Sequence, residues 1–186
     1  MYFHYTTVMH LPFILESDRL VPSRRQAHGD HRFGLLWFSA NTEIEPTAWK
    51  TGVAVARLGS NDHRIRPWRE VARRAGFSSA VIRRLEASGR KIGAVPGEWF
   101  AAKEALPISE MSLEVFLNGR WEPISWEDME SERVGGTEMA LFGPGGLVAV
   151  VQRTRSGEGY WCYATNRALY SPGHLVESGR RLSGVG

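Results

Sequence analysis

Tyr2-Phe3-His4-Tyr5-Thr6 is aromatic and β-branched, and its alternating side chains predict a strand. Thr6 or Thr7 stands where a helix cap belongs. Val8, Leu11, Ile14 and Leu15 then recur at helical spacing, so a short amphipathic helix to about Ser17 should follow. Leu20-Val21-Pro22 reads as a brief extended exit. Strand, short helix and extended exit in close succession point to an α+β class.

The same reading extends outward. Residues 24–32 are polar and contain Gly29, which predicts a loop. Gly34-Leu35-Leu36-Trp37-Phe38-Ser39 is an apolar run with the length of a buried strand. A second loop, broken by Pro46, leads to a strand over 52–58 with Val53 and Val55 inward. Pro67 suits the first position of a helix whose Trp68, Val71, Ala72 and Ala75 share one face, with Gly76 as its stop. Ser78 or Ser79 begins a second helix, with Val81, Ile82 and Leu85 inward and Gly89 as its end. Met111, Leu113, Val115 and Leu117 alternate with Ser112, Glu114 and Phe116, the pattern of a strand with one buried face. Asn118-Gly119 makes a tight turn into Trp121. Residues 147–152 and 160–164 read as a hairpin, 169–176 as a last strand, and the tail beyond Ser178 as frayed. The expected organisation is one domain over 1–186: a core over 1–125 with a helical insertion at 67–89, a strand extension over 126–178 and a tail over 179–186.

Composition narrows the classes of function. The chain has 186 residues, 42% apolar and 23% charged, which is enough for a well-buried core. Cys162 is the only cysteine, so no internal disulfide is available, it cannot make a zinc ribbon alone, and a reducing compartment is expected. No apolar run is long enough to span a bilayer, and the opening residues lack the basic start and apolar stretch of a secretion signal. The expectation is a cytoplasmic protein without a membrane partner. The net charge of +3 excludes a nucleic-acid-coating protein, but the charge is uneven. Residues 64–91 carry nine Arg and Lys against two Glu, the footprint of a phosphate-bearing partner or of a solvated helix face.

Phe3-His4-Tyr5-Thr6, Leu11-Pro12-Phe13-Ile14-Leu15 and Leu20-Val21-Pro22 resemble the opening of ADP-ribosyltransferase-fold proteins, and Trp37-Phe38-Ser39-Ala40-Asn41 with Glu45-Pro46-Thr47-Ala48 and Lys50 resembles a segment of uncharacterised bacterial proteins that share that opening. The likeness is in particular to tRNA 2'-phosphotransferases and DNA-modifying toxin ADP-ribosyltransferases. Asp18-Arg19 occupy the place where those proteins carry a glycine. The likeness spans roughly residues 2–125 and implies a split, mostly antiparallel sheet with a short helical insertion. It also implies NAD as co-substrate, with a protein or a nucleic acid as acceptor. His4 and Thr6 would hold the cofactor, Tyr5 and Trp37 would flank the nicotinamide, and Ser39 with Asn41 would support its ribose. Glu114 would steady the positive ribose centre that forms as nicotinamide leaves. Glu43-Ile44-Glu45 also spells the Glu-x-Glu of some arginine-modifying members, but it follows Ser39 too closely for that order of elements. Ordinary structural roles compete: Trp37 as core, Ser39 and Asn41 as turn caps, Glu45-Pro46-Thr47 as a cap, and Glu114 as one carboxylate on a solvated sheet face.

A second constellation sits in the insertion. The run from Trp68 to Leu85, with Ala72 at a helix crossing and Gly76 in the turn, resembles a helix-turn-helix DNA reader. Arg73, Arg74, Ser79, Arg83 and Arg84 would then face phosphates or base edges. A member of the transferase fold that binds a nucleotide without turnover is the third reading. His28-Gly29-Asp30-His31 lacks a fourth metal ligand, Gly143-Pro144-Gly145-Gly146 lacks the Lys and hydroxyl of a phosphate loop, and no metal is expected.

Overall fold

The computed structural model describes residues 1–22, 34–48, 55–117, 119–135, 138–143, 146–153 and 160–164. In chain order the elements begin with β1 (Tyr2–Thr7), α1 (Leu11–Ser17), β2 (Arg19–Leu20), β3 (Leu36–Ser39), β4 (Val55–Ser60) and β5 (Arg66–Pro67). Then come α2 (Trp68–Arg74), α3 (Ser79–Lys91), β6 (Trp99–Ala102), β7 (Leu106–Pro107), β8 (Ser112–Leu117) and β9 (Arg120–Ile124). The last four strands are β10 (Glu130–Gly135), β11 (Glu138–Gly143), β12 (Gly146–Arg153) and β13 (Tyr160–Ala164). The protein is thus a mixture of helix and antiparallel sheet. Among the described residues no helix is long and apolar enough to cross a membrane.

The chain divides into two compact units. The first comprises Met1–Tyr5, Arg19–Trp49 and Leu58–Met111, and the second Thr6–Asp18, Lys50–Arg57 and Ser112–Gly186. In the first unit the hydrogen-bonded strand order is β5-β6-β3-β1-β4, and β2 pairs separately with β7. The pairs β1–β3, β3–β6 and β5–β6 are antiparallel. Helices α2 and α3, with Ala75 in the turn between them, supply Trp68, Val71, Ala72, Ala75 and Ile82 to a core shared with Leu35, Ala94, Trp99 and Ala101. The expected α2 face is therefore the buried one, and Gly76 ends that helix with a left-handed φ of 87°.

Gly89 departs from expectation. It does not end α3, which runs on to Lys91; the left-handed glycine is Gly93, with φ 88°. Gly89 sits inside the helix because the Trp99 ring packs on its Cα. A Cβ there would lie 2.5 Å from Trp99 Cζ2 and closer still to Cη2.

In the second unit β8 and β9 form an antiparallel hairpin, and β10-β11-β12-β13 form a four-stranded sheet that is antiparallel throughout. Helix α1 packs on β10 and β11. Val8, Leu11, Met139, Leu141 and Val151 are almost fully buried there. The helical region expected from Val8 opens as a 3-10 turn, because Pro12 lacks the N–H that a longer α-helix would need. Asp18 closes α1 in the left-handed region at φ 51°, which a short polar side chain tolerates.

The strand expected over 52–58 is found as β4, three residues later; residues 51–54 lie outside the described residues. All six β4 positions are buried, Arg57 among them. The predicted loop over 24–32, the His28–His31 cluster and the last strand over 169–176 also lie outside the described residues, as does the side chain of Cys162.

Candidate functional site

The register of β1 against β3 sets the site. Phe3 pairs with Ser39 in antiparallel sense; counting on from that pair sets His4 beside Phe38, whose rings meet edge-on at 5.7 Å, and Tyr5 beside Trp37. Alternation then puts Phe3, Tyr5, Trp37 and Ser39 on one face and His4 with Phe38 on the other. The β3–β6 register, Ser39 to Trp99, adds Trp99 to the first face. Helix α3 covers that face but does not fill it. A cavity of about 350 Å³ remains, lined by Tyr5, Trp37, Ser39, Glu45, Gly89 and Trp99 among others. Exposed Ser88 and Ile92 of α3 border it. The volume lies within the range of small-molecule sites, and the walls are mostly apolar with a few converging polar groups.

Those polar groups centre on Glu45. Its carboxylate is buried and accepts from Ser39 Oγ at 2.8 Å, Thr47 Oγ1 at 2.9 Å, the Trp99 indole N–H at 3.1 Å and, more weakly, the Thr47 backbone N–H at 3.4 Å. No cation pairs with it among the described residues. Neutral donors therefore hold a negative charge at the wall of an aromatic cavity, an arrangement that favours a cationic planar guest. The sequence reading had Glu45-Pro46-Thr47 as a cap. The turn is there, with Ala48 N–H donating to the Glu45 carbonyl at 2.9 Å, but the side chain also reaches Trp99 across 54 residues of sequence.

The other expected residues distribute as follows. Asn41 caps its own turn: its Oδ1 accepts from the Glu43 N–H at 2.9 Å, and its backbone N–H donates to Ser39 Oγ at 3.1 Å. Its carbonyl accepts from the Tyr5 hydroxyl at 2.6 Å. Asn41 thus braces the cavity without lining it. Thr6 belongs to the second unit, with its Oγ1 2.8 Å from His10 Nδ1. Glu114 is also in the second unit and accepts from Arg57 Nε at 2.6 Å. Arg57 is buried, and its guanidinium lies 4.3 Å over the Trp121 ring, which meets Phe116 edge-on. In that setting Glu114 supplies the counter-charge a buried guanidinium requires. Arg73, Ser79, Arg83 and Arg84 are exposed on α2 and α3, while Arg74 pairs with Glu70 at 3.0 Å. Among the described residues no group of His, Cys, Asp and Glu is placed to hold a metal ion.

His4 is on the face away from Ser39. Its Nδ1 lies 2.8 Å from the Trp37 carbonyl, which only accepts, so Nδ1 carries the proton. Burial pushes its pKa below the ordinary value, and the bond to the Trp37 carbonyl opposes that shift. The neutral ring thus holds the backbone behind Trp37. A histidine with a depressed folded pKa adds stability that is complete above its unfolded pKa of 6.5 and is lost as pH falls from there through the folded value. His4→Asn, whose Nδ2 can still donate to the carbonyl, should flatten the stability loss that begins near that pH. Urea melts across the range check this; an unchanged slope would contradict it. Asp62, held at about 2 mainly by its bond from Arg64, titrates well below this window.

No protein-family model, no curated protein and no solved structure matches this chain.

Proposed function

We propose that the first unit binds the nicotinamide end of NAD in the cavity beneath α3 and that the protein transfers ADP-ribose from it, in an ADP-ribosyltransferase-like fold. One observation carries the reading: Tyr5, Trp37 and Ser39, three residues picked out by the resemblance, line the same cavity as a buried carboxylate that has no cation partner among the described residues. The cavity has room for the nicotinamide and its ribose, while the adenosine half would extend outside it.

In this reading Tyr5, Trp37 and Trp99 hold the positively charged pyridinium ring between aromatic walls. The bond between the ribose and the ring nitrogen breaks with its electron pair leaving on nicotinamide, so positive charge moves onto the ribose. An acceptor nucleophile then attacks that carbon and gives up a proton. Glu45 is fixed by its donors before the reaction begins, so its negative charge stabilises the ribose centre without reorganising. Ser39 orients Glu45. His4 acts from the opposite face by holding the strand that carries Trp37. Glu45, rather than Glu114, is the carboxylate of the reaction.

The test is release of free nicotinamide from NAD. Wild type should release it, and Glu45→Gln should slow release by about 10²-fold or more, the scale of losing one preorganised electrostatic group. Equal rates would remove Glu45 from the chemistry. NAD binding without any release would leave a nucleotide-binding protein and end the transfer reading.

A further inference from the structure

We propose that the outer face of α2 and α3 docks B-form duplex DNA, with α3 entering the major groove. This does not rest on the cavity reading.

The backbone supplies the first argument. Helices α2 and α3 are joined by the short turn 75–78, with Gly76 at φ 87°. Ser78 caps α3 by accepting from the Val81 N–H at 3.3 Å. Ala72 is wholly buried and Ile82 nearly so, and with Glu86 and Gly89 also buried they seat the pair on the core and leave the opposite face of α3 outward. That outward face carries Ser79, Ala80, Arg83, Arg84 and Ala87, all exposed. The two alanines keep the face low enough for the helix to approach base edges, and the serine and arginines supply donors beside them. Thirteen residues make a rod about 20 Å long, enough to lie across several base pairs.

Charge is the second, independent argument. The two glutamates of 64–91 are already committed. Glu70 pairs with Arg74, and buried Glu86 accepts from Arg69 and Arg90. The bond from Arg69 is the main reason the Glu86 carboxyl is held below its ordinary range, so it stays ionised and keeps those two arginines in place. Arg73, Arg83 and Arg84 have no carboxylate partner among the described residues and stand exposed. A stretch whose two glutamates are neutralised by its own arginines, and whose exposed Arg73, Arg83 and Arg84 have no carboxylate partner among the described residues, suits a polyanion. A rigid helix with a low outer surface selects B-form DNA over duplex RNA, whose deep, narrow major groove excludes it.

Anisotropy of a labelled mixed-sequence DNA duplex, titrated with the full chain over a salt series, tests this. Wild type should bind, with affinity falling steeply as salt rises. Arg73→Gln/Arg83→Gln/Arg84→Gln should weaken binding at least tenfold and flatten the salt slope. Circular dichroism would verify that this surface variant is folded. Lys103→Gln/Arg120→Gln/Arg133→Gln removes the same charge elsewhere and should change affinity less than about threefold, the part that depends on net charge alone. A matched RNA duplex should bind more weakly. The proposal is overturned by no wild-type binding at low salt, by equal losses in the two triple variants, or by equal affinity for the RNA duplex.

Discussion

Gly89→Ala should destabilise the protein by about 1–3 kcal/mol, the cost of overpacking a filled site, although alanine inside a helix ordinarily gains about 1 kcal/mol over glycine. The reason is Trp99. Its ring occupies the space a Cβ would take, and it cannot swing aside freely. It meets Trp68 at 5.6 Å and Trp37 at 6.3 Å between ring centroids, and its indole N–H is bonded to Glu45. Any shift that accommodates the methyl group disturbs the cavity wall and the carboxylate together. Denaturant melts of wild type and Gly89→Ala decide the point, and a variant more stable than wild type would show that the helix does not lean on Trp99. Gly93→Ala, by contrast, would be strained by its left-handed backbone but meets no neighbouring atom within 4 Å.

Glu45 should separate structure from charge. Glu45→Ala leaves the Trp99 indole and the two hydroxyls beside it without their acceptor, and a loss of about 2–3 kcal/mol is expected. In Glu45→Gln the amide oxygen can accept from Trp99 and Thr47, while the amide nitrogen donates to a rotated Ser39 hydroxyl. That variant should stay within about 1 kcal/mol of wild type, because buried donors keep acceptors and the charge removed has no cation partner among the described residues. Thermal and urea melts of both variants check the ordering. Equal destabilisation by Ala and Gln would mean that the negative charge itself holds the turn.

How much of this was legible in the sequence depended on the range of the cause. The face of α2 and the alternation of β8 were readable because they are periodic, and Trp68, Val71, Leu113 and Val115 are buried as that periodicity requires. The face that His4 occupies was not readable. It follows from the Phe3–Ser39 register, and a one-residue slip would have reversed it. Gly89 looked like a helix stop because a glycine near a helix end usually is one, and its actual partner is a ring beyond the helix. Glu45 was visible in the Glu43-Ile44-Glu45 pattern but stood too close after Ser39 for the order of elements that pattern implies. Its adjacency to Pro46 and Thr47 explained it as a cap, and nothing in the sequence tied it to Trp99. Arg57 sat unnoticed in an apolar strand because the carboxylate that balances it, Glu114, lies 57 residues away. Glu114 in turn was readable as a residue off the apolar face of β8 but not as the partner of a buried guanidinium.

The most direct measurement is a thermal-shift titration of wild type and Glu45→Gln with NAD. At a hundredfold excess over its dissociation constant, NAD should stabilise wild type by about 2.7 kcal/mol, a rise of several degrees in Tm, and the shift should vanish or shrink sharply in Glu45→Gln. No shift in folded wild type, or the same shift in both proteins, would contradict a cavity that holds the nicotinamide beside the Glu45 carboxylate.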